Sequence, residues 1–229
     1  MSARAIPLTV IGGFLGAGKT TLLNHWLSAS RGVRMAVLVN DFGAINLDAE
    51  LVRSRSGDTI ALSNGCVCCQ IGNDLAQAFI RVLDTEPPFE AIVIEASGVS
   101  DPWRIAELGQ AVPELHLDGV IVLVDASTFA TQLADPLLTD TIERQLASAD
   151  LVVANHCDHA SAEQLAAARE HVARLAPGAA IYETSNSVVP LAMLSSLALP
   201  DADAKARRLA ERDAQHAHIH DHAHDDPAH

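Results

Sequence analysis

The feature that most constrains the fold of this chain is the segment Gly13-Phe14-Leu15-Gly16-Ala17-Gly18-Lys19-Thr20. It follows the apolar run Leu8–Ile11, which predicts a buried strand, and precedes Thr21–Leu27, which predicts a helix. Glycines let the backbone curl so that successive N–H groups point at phosphate oxygens, at the positive end of that helix. The pattern predicts a phosphate-binding strand–loop–helix unit. The alternative is an ordinary glycine-rich turn.

Two side chains at the end of this loop complete a site for a nucleoside triphosphate. Lys19 can reach the outer phosphates, and the hydroxyl of Thr20 can ligate magnesium. The next lysine in the chain is Lys205, so the match does not come from lysine-rich sequence. We therefore expect the loop from Gly13 to Thr21 to surround the phosphates.

Further apolar runs recur along the chain, with helical patterns between them. Several are continuously apolar, as in parallel strands that are covered on both faces. The runs are Met35–Val39, Ala91–Ile94, Val120–Val124, Leu151–Ala154 and Ala180–Tyr182, and the helical patterns are Asp74–Leu83, Thr139–Ala149 and Ser161–Leu175. This alternation predicts an α/β fold of the P-loop NTPase class: a doubly wound, mostly parallel sheet with helices on both faces.

Composition excludes several classes of protein. The formal charge of −14 disfavours a nucleic-acid partner, since phosphate backbones attract basic surfaces. No apolar run approaches the ~20 residues that a membrane helix needs. The N-terminus has no signal-peptide pattern, so we expect a cytoplasmic protein with neither a nucleic-acid nor a membrane partner.

The sequence changes character near its C-terminal end. We expect a phosphate-loop domain over residues 1–200 and a charged, histidine-rich, flexible tail over residues 201–229. Histidine alternates there with small or acidic residues, and such a segment cannot bury enough apolar area to order itself. Its imidazoles can collect metal ions loosely, and the alternative is a solvated tail.

Two acidic residues that follow predicted strands are candidates for a magnesium site. Glu95 comes directly after Ala91–Ile94, where an acid can hold magnesium through water, and the N–H of Gly98 can meet the γ-phosphate. The alternative is a strand-terminal acid in a turn. Asp41 follows Met35–Val39 and can contact magnesium or its water shell. Turn chemistry alone would also select Asn-Asp and Gly at this point.

A further candidate, Asn155-His156-Cys157-Asp158, follows Leu151–Ala154. A carboxylate at Asp158 can accept hydrogen bonds from the ring N–H and the exocyclic amine of guanine. Adenine offers no such pair of donors, so this residue favours GTP. The usual guanine motif has lysine where His156 stands. Alternatively, Asp158 is the N-cap of the helix predicted over Ser161–Leu175.

Three of the four cysteines lie within four residues, in Gly65-Cys66-Val67-Cys68-Cys69. Thiolates bind zinc and other soft or borderline ions tightly. Because the three sulfurs lie on a short arc, they do not easily close a tetrahedral cage. Two or three of them plus an outside ligand would leave a site that can release its ion, as a carrier needs. The alternatives are a structural zinc site and a redox or buried-thiol role.

In their order along the chain, Gly-Gly-Phe-Leu-Gly-Ala-Gly-Lys-Thr-Thr, Asn-Asp-Phe-Gly, Gly-Cys-Val-Cys-Cys, Glu-Ala-Ser-Gly and Asn-His-Cys-Asp resemble motifs of the CobW family of P-loop GTPases. The resemblance covers about residues 6–200. It implies phosphate contacts by Gly13 to Thr21, magnesium contacts by Thr20 and Glu95, guanine contacts by Asn155 and Asp158, and a transported ion on Cys66, Cys68 and Cys69.

The resemblance implies a GTPase that uses GTP and Mg²⁺ and passes Zn²⁺, Co²⁺ or Fe²⁺ to a client metalloprotein. The resemblance is also compatible with a second copy of the chain as partner, in a GTP-dependent homodimer. Lys19, Thr20 and Glu95 would carry a slow hydrolysis, since no residue stands out for positioning water. The family usually has glutamate where Asp41 stands and lysine where His156 stands, and many members carry a second, C-terminal domain. The alternative functions are a zinc buffer or sensor and a small-molecule kinase.

Overall fold

A parallel β-sheet forms the centre of the molecule. The computed structural model of the chain describes residues 5–30, 32–39, 59–61 and 71–194. Within these ranges the sheet has seven strands in the order β3-β2-β4-β1-β5-β6-β7, and every neighbouring pair is parallel. The strands are β1 (Ile6–Gly13), β2 (Met35–Val39), β3 (Thr59–Ala61), β4 (Ala91–Glu95), β5 (Leu115–Asp125), β6 (Leu151–Asn155) and β7 (Ala180–Glu183).

Helices cover both faces of this sheet. They are α1 (Lys19–Ala29), α2 (Ile71–Leu83), α3 (Pro102–Gln110), α4 (Phe129–Leu133), α5 (Thr139–Ala147), α6 (Ala162–Leu175) and α7 (Leu191–Leu194). Helices α1 and α7 share one apolar cluster with the sheet, and α2 to α6 share the other. In β4, Ile92 and Ile94 enter one cluster and Val93 enters the other. Burial of each such side chain stabilises the fold by ~1.5–3 kcal/mol. Because both faces of the sheet are covered, side chains on both faces of a strand are apolar, and the strand is continuously apolar.

The predicted doubly wound α/β fold is therefore confirmed. Each strand run identified in the sequence forms a strand; β2 matches its run, β4, β6 and β7 are longer by one residue, and β1 and β5 are longer by several. The largest extension is in β5, which begins at Leu115 because Leu115 and Leu117 are buried beside the exposed His116. Strand β3 and helices α3, α4 and α7 were not predicted.

Helix α6 shows that one alternative drawn from the sequence is wrong. Asp158 is not its N-cap, because Ser161 occupies that position. The hydroxyl of Ser161 accepts from the N–H of Gln164, and the side chain of Gln164 accepts from the N–H of Ser161. This reciprocal pair is a capping box, and it leaves the carboxylate of Asp158 outside the helix.

The parallel arrangement brings the strand-end loops to one edge of the sheet. In the register of the ladders, Ile11 of β1 faces Glu95 of β4, and Asp125 of β5 faces Asn155 of β6. The loops that follow β1, β4, β5 and β6 therefore meet at this edge, where α/β sheets bind ligands. Over the described ranges, no helix is long and apolar enough to cross a membrane.

The capping box gives a test of this local structure. Replacing Ser161 with alanine should lower the free energy of unfolding by about 1 kcal/mol, because the N–H of Gln164 loses the hydroxyl that accepts from it. The matched change Asp158→Ala should stay within about 0.5 kcal/mol of the wild type, as expected for a surface position. Urea unfolding measures both, and a larger loss for Asp158→Ala would contradict the assignment of the cap.

Candidate functional site

The glycine-rich loop joins β1 to α1 at the carboxyl edge of the sheet. Gly16 and Gly18 have left-handed backbone angles, with φ of +79° and +100°, and Gly18 is the N-cap of α1. This turn aims the first N–H groups of α1 into the space beside the loop. The positive end of a helix dipole lies at the same place, so the local field favours an anion.

Lys19 is the first residue of α1, and only 8% of its surface is exposed. Its ammonium group donates to the carbonyl oxygens of Gly13 at 2.9 Å and Phe14 at 3.2 Å. These bonds place the positive charge over the loop itself, next to the N–H groups that start α1. The loop thus carries a fixed cation where the sequence predicted one.

Thr20, on α1, meets Glu95 at the carboxyl end of β4. The hydroxyl of Thr20 donates to the Oε1 atom of Glu95 at 2.7 Å, and Glu95 is almost fully buried at the end of β4. A hydroxyl beside a carboxylate is an all-oxygen donor set, which is the set that Mg²⁺ prefers. The residues present therefore fit a magnesium ion, as the sequence predicted for this pair.

The loop after β4 closes the same space from the other side. The hydroxyl oxygens of Ser97 and Ser100 lie 2.7 Å apart. A Cβ atom on Gly98 would come within 2.9 Å of the backbone nitrogen of Leu15, so this loop lies directly against the glycine-rich loop.

The two loops enclose a cleft of about 310 Å³. This volume lies within the range of about 300–1,000 Å³ that is typical of small-molecule sites. The cleft is lined by Leu15, Gly16, Gly18, Lys19, Thr20, Thr21, Val39, Glu95, Ala96, Ser97 and Gly98. Most of the predicted phosphate and magnesium residues therefore share one cavity.

A buried amide links the glycine-rich loop to the loops after β6 and β7. The Nδ2 atom of Asn155 donates to the carbonyl of Ala17 at 2.9 Å, and its Oδ1 atom accepts from the N–H of Ser187 at 2.8 Å. The hydroxyl of Ser187 donates to the carbonyl of Gly18 at 3.0 Å. All three segments are thereby held at fixed distances from one another.

The predicted guanine side of the site is polar and partly exposed. Asp158 is half exposed, and its Oδ2 atom lies 3.3 Å from Nε2 of His159. His156 has a left-handed φ of +58°, and its Nδ1 atom lies 3.0 Å from Oδ2 of Asp125. The two imidazole rings are stacked, with centroids 5.9 Å apart. Asp158 therefore lies beside a stacked pair of histidines, of which His156 stands where the usual motif has lysine.

Asp125 is held ionised by its surroundings. Burial alone would raise the pKa of Asp125, but hydrogen bonds from Ser127 and His156 outweigh burial and leave that pKa below its ordinary value. Its Oδ1 atom accepts from the N–H and the hydroxyl of Ser127, at 2.9 Å and 2.6 Å. The carboxylate is thus fixed in place, and it fixes the ring of His156 in turn.

Several predicted site residues lie outside the described part of the chain: Asp41, Cys66, Cys68 and Cys69. Their roles stay predictions. The fourth cysteine, Cys157, is half-buried, its thiol donates to the carbonyl of Ala154 at 3.2 Å, and burial raises its pKa. Cys157 is therefore a packed thiol. Across the residues that the structure describes, no cluster of three His, Cys, Asp or Glu side chains could hold a metal ion.

Sequence reasoning missed Asp125, Ser187 and Gln145, whose contacts position parts of this site. Asp125 directly follows the apolar run Val120–Val124, so its place after a strand was a usable signal. Nothing in the sequence marks Ser187 or Gln145, because each acts through a contact with a segment far away along the chain.

Comparisons with known proteins agree with this geometry. A family model described as "CobW/HypB/UreG, nucleotide-binding domain" matches residues 7–183. The zinc chaperone CobW of Pseudomonas aeruginosa is 36% identical over 84% of this chain. The zinc-regulated GTPase metalloprotein activator 1 of Dictyostelium discoideum is 31% identical over 86% of it. The chain spans 60% of the length of the first relative and 49% of the second.

Two solved structures have folds similar to that of this chain. The Zn(II)-bound YjiA GTPase from E. coli matches with a TM-score of 0.63 at 26% identity, over 85% of this chain and 62% of that one. HypB from Helicobacter pylori, in complex with nickel, matches with a TM-score of 0.57 over 92% of this chain and 89% of that one. At 18% identity, HypB supports the likeness of the fold alone.

Two glycines of the loop allow a matched test of the contacts made by Asn155 and Ser187. A Cβ atom on Gly18 would lie 2.4 Å from Asn155 Nδ2 and 2.5 Å from Ser187 Oγ, whereas one on Gly16 meets nothing within 4 Å. Both alanine variants should lose ~1–2 kcal/mol of unfolding free energy through the left-handed backbone. Gly18→Ala should lose a further ~1–3 kcal/mol through the clash.

Urea unfolding of the two variants measures the difference between them. Equal losses for Gly16→Ala and Gly18→Ala would show that the amide does not pack against the loop.

Proposed function

The chain belongs to the CobW/HypB/UreG family of nucleotide-binding domains, and from this premise we propose that it is a slow GTPase that couples nucleotide state to the transfer of zinc. The observation that carries the proposal is the junction of Thr20 with Glu95 at the glycine-rich loop. That junction puts an oxygen donor set for magnesium beside a fixed lysine and a helix N-terminus. Together these groups match the needs of a bound triphosphate.

Each group of the cleft has a part in holding the triphosphate. The N–H groups at the start of α1 bind phosphate oxygens, and Lys19 offsets their charge. Thr20 and Glu95 would hold Mg²⁺, which when bound neutralises charge on the outer phosphates. A water molecule then attacks the γ-phosphorus, the bond to the bridging oxygen breaks, and GDP and phosphate result.

We expect this hydrolysis to be slow, for a reason found in the cleft. Among the described residues that line it, Glu95 is the one acid, and its Oε1 atom accepts the hydroxyl of Thr20. No histidine is among these lining residues. Catalysis then relies on positioning and electrostatics, because none of the lining side chains that the structure describes is set up as a general base.

Guanine recognition is assigned to the loops after β6 and β7. Asp158 would accept from the ring N–H and the exocyclic amine of guanine, while Asn155 keeps its loop attached to the phosphate loop. His156 replaces the lysine of the usual motif, and Asp125 fixes its ring. We propose that this imidazole lies against the base where the lysine stem otherwise would.

The transported metal is assigned to Cys66, Cys68 and Cys69. The chain leaves β3 at Ala61, at the carboxyl edge of the sheet that also carries the nucleotide loops, and α2 begins at Ile71. The cysteines lie between these two points in the sequence. The names of the relatives, a zinc chaperone and a zinc-regulated metalloprotein activator, support zinc as cargo and a metalloprotein as client.

We propose that Mg-GTP orders the loops that contain Asp41 and Glu95 and so shapes a tight zinc site. Hydrolysis would release these loops and weaken the site, as in other nucleotide switches. The cytoplasmic location, the division of the chain at residue 200, the loosely metal-binding tail and a GTP-dependent homodimer stay predictions of the sequence.

The affinity for zinc tests this coupling. With Mg²⁺ and a non-hydrolysable GTP analogue, zinc should bind between about 5-fold and about 150-fold more tightly than with Mg-GDP, the usual range of coupling between two sites. Competition with a chelator measures both values. Cys66→Ala and Cys68→Ala should lose tight binding, whereas the matched control Cys157→Ala should keep it, since Cys157 packs against Ala154.

Equal zinc affinities in the two nucleotide states would refute the proposed coupling. A phosphate-release assay then separates the alternatives, because a zinc buffer or sensor that merely holds nucleotide would show no turnover stimulated by metal or client.

A further inference from the structure

A buried glutamine on α5 holds the loop that follows β4. Gln145 is 2% exposed, and its Nε2 atom donates to the carbonyl oxygens of Gly98 at 3.1 Å and Ser100 at 2.9 Å. These residues lie more than 40 positions earlier in the chain. A side-chain amide that donates both of its protons to one loop fixes two carbonyl groups of a single turn against α5.

The orientation of this amide follows from its partners. Both acceptors are carbonyl oxygens, so the NH₂ group must face the loop. The opposite orientation would place the amide oxygen against two carbonyl oxygens and leave three acceptors without a donor in a buried site.

The same loop has a second side, which faces the cleft. Ser97 and Gly98 line the cavity next to Lys19 and Thr20, and Gly98 lies against the backbone of Leu15. Gln145 does not line the cavity. The loop is therefore held between α5 on one side and the phosphate loop on the other, and the position of the Gly98 N–H depends on both.

We propose that Gln145 is a positioning residue that sets the loop at Ser97 to Ser100 for the outermost phosphate and so lets the protein distinguish a nucleoside triphosphate from a diphosphate. This inference rests on the proposed function. The diphosphate is held by the glycine-rich loop and the Asn155 contacts, none of which Gln145 touches. Only the γ-phosphate depends on the loop after β4, so only triphosphate binding depends on Gln145.

Gln145→Glu is the sharpest test, because it keeps the shape and replaces two donors with acceptors that face carbonyl oxygens. The ratio of the dissociation constants of Mg-GDP and the Mg-bound GTP analogue is measured by calorimetry. The variant should lower this preference for the triphosphate about tenfold or more, the effect of losing two hydrogen bonds. Its affinity for GDP should change less than about twofold, because the contacts to the diphosphate stay intact.

Gln77→Glu is the matched control, since Gln77 lies exposed on α2 and the change is chemically the same. This control should keep the wild-type ratio. If Gln145→Glu does not fold, Gln145→Met replaces it, because the thioether fills the site without a repulsive charge and removes the same two donors.

The outcomes separate this inference from the proposed function. A wild type that does not bind the GTP analogue would refute the proposed function itself. A wild type that prefers the triphosphate, with Gln145 variants that keep the full preference, would overturn the positioning role alone. Equal losses of affinity for both nucleotides would also overturn it, because they would show a general structural role.

Discussion

The edge of the sheet that binds ligand depends on one buried amide. The side chain of Asn155 bonds the carbonyl of Ala17 and the N–H of Ser187, and so joins segments 138 and 32 positions away along the chain. Both ends of the amide are used in a buried site, where losing one partner costs ~1–3 kcal/mol because the other group stays unsatisfied. Because losing either partner is costly, the glycine-rich loop and the loops after β6 and β7 keep one arrangement. The glycine-rich loop that this amide holds forms one wall of the cleft.

A second junction, between Thr20 and Glu95, ties α1 to the end of β4. The two junctions use different partners, so the glycine-rich loop is held from the side of β6 and from the side of β4. Glu95 directly precedes the loop after β4, and Gln145 of α5 donates a hydrogen bond to that loop. A ligand that pulls on Thr20 or Glu95 therefore acts on the loop after β4. In the proposed mechanism, that loop is the part of the described site that would report the nucleotide state to neighbouring segments.

The sequence predicted the elements that depend on local pattern. Continuous apolar runs located the strands, and glycine spacing located the phosphate loop with Lys19 and Thr20. The sequence did not predict contacts between residues that are far apart along the chain. In the sequence, Gln145 is one polar residue on an amphipathic helix, and Ser187 is an ordinary loop residue. Helix α3 carried a usable signal, because Asp101 caps it and Pro102 starts it. For Asp158, the local pattern allowed either a helix N-cap or a contact with guanine. The capping box at Ser161 excludes the N-cap.

We propose that this edge of the sheet binds a guanine nucleotide, with the phosphates at the glycine-rich loop that Asn155 holds and the base at Asp158. Calorimetric titration of the wild-type protein with GTP and with ATP, each with Mg²⁺, tests it most directly. GTP should bind at least ~100-fold more tightly than ATP, because Asp158 can pair with two donors that adenine lacks, and each hydrogen bond to a charged group contributes ~1.5–3 kcal/mol. Equal affinities, or tighter binding of ATP, would contradict it.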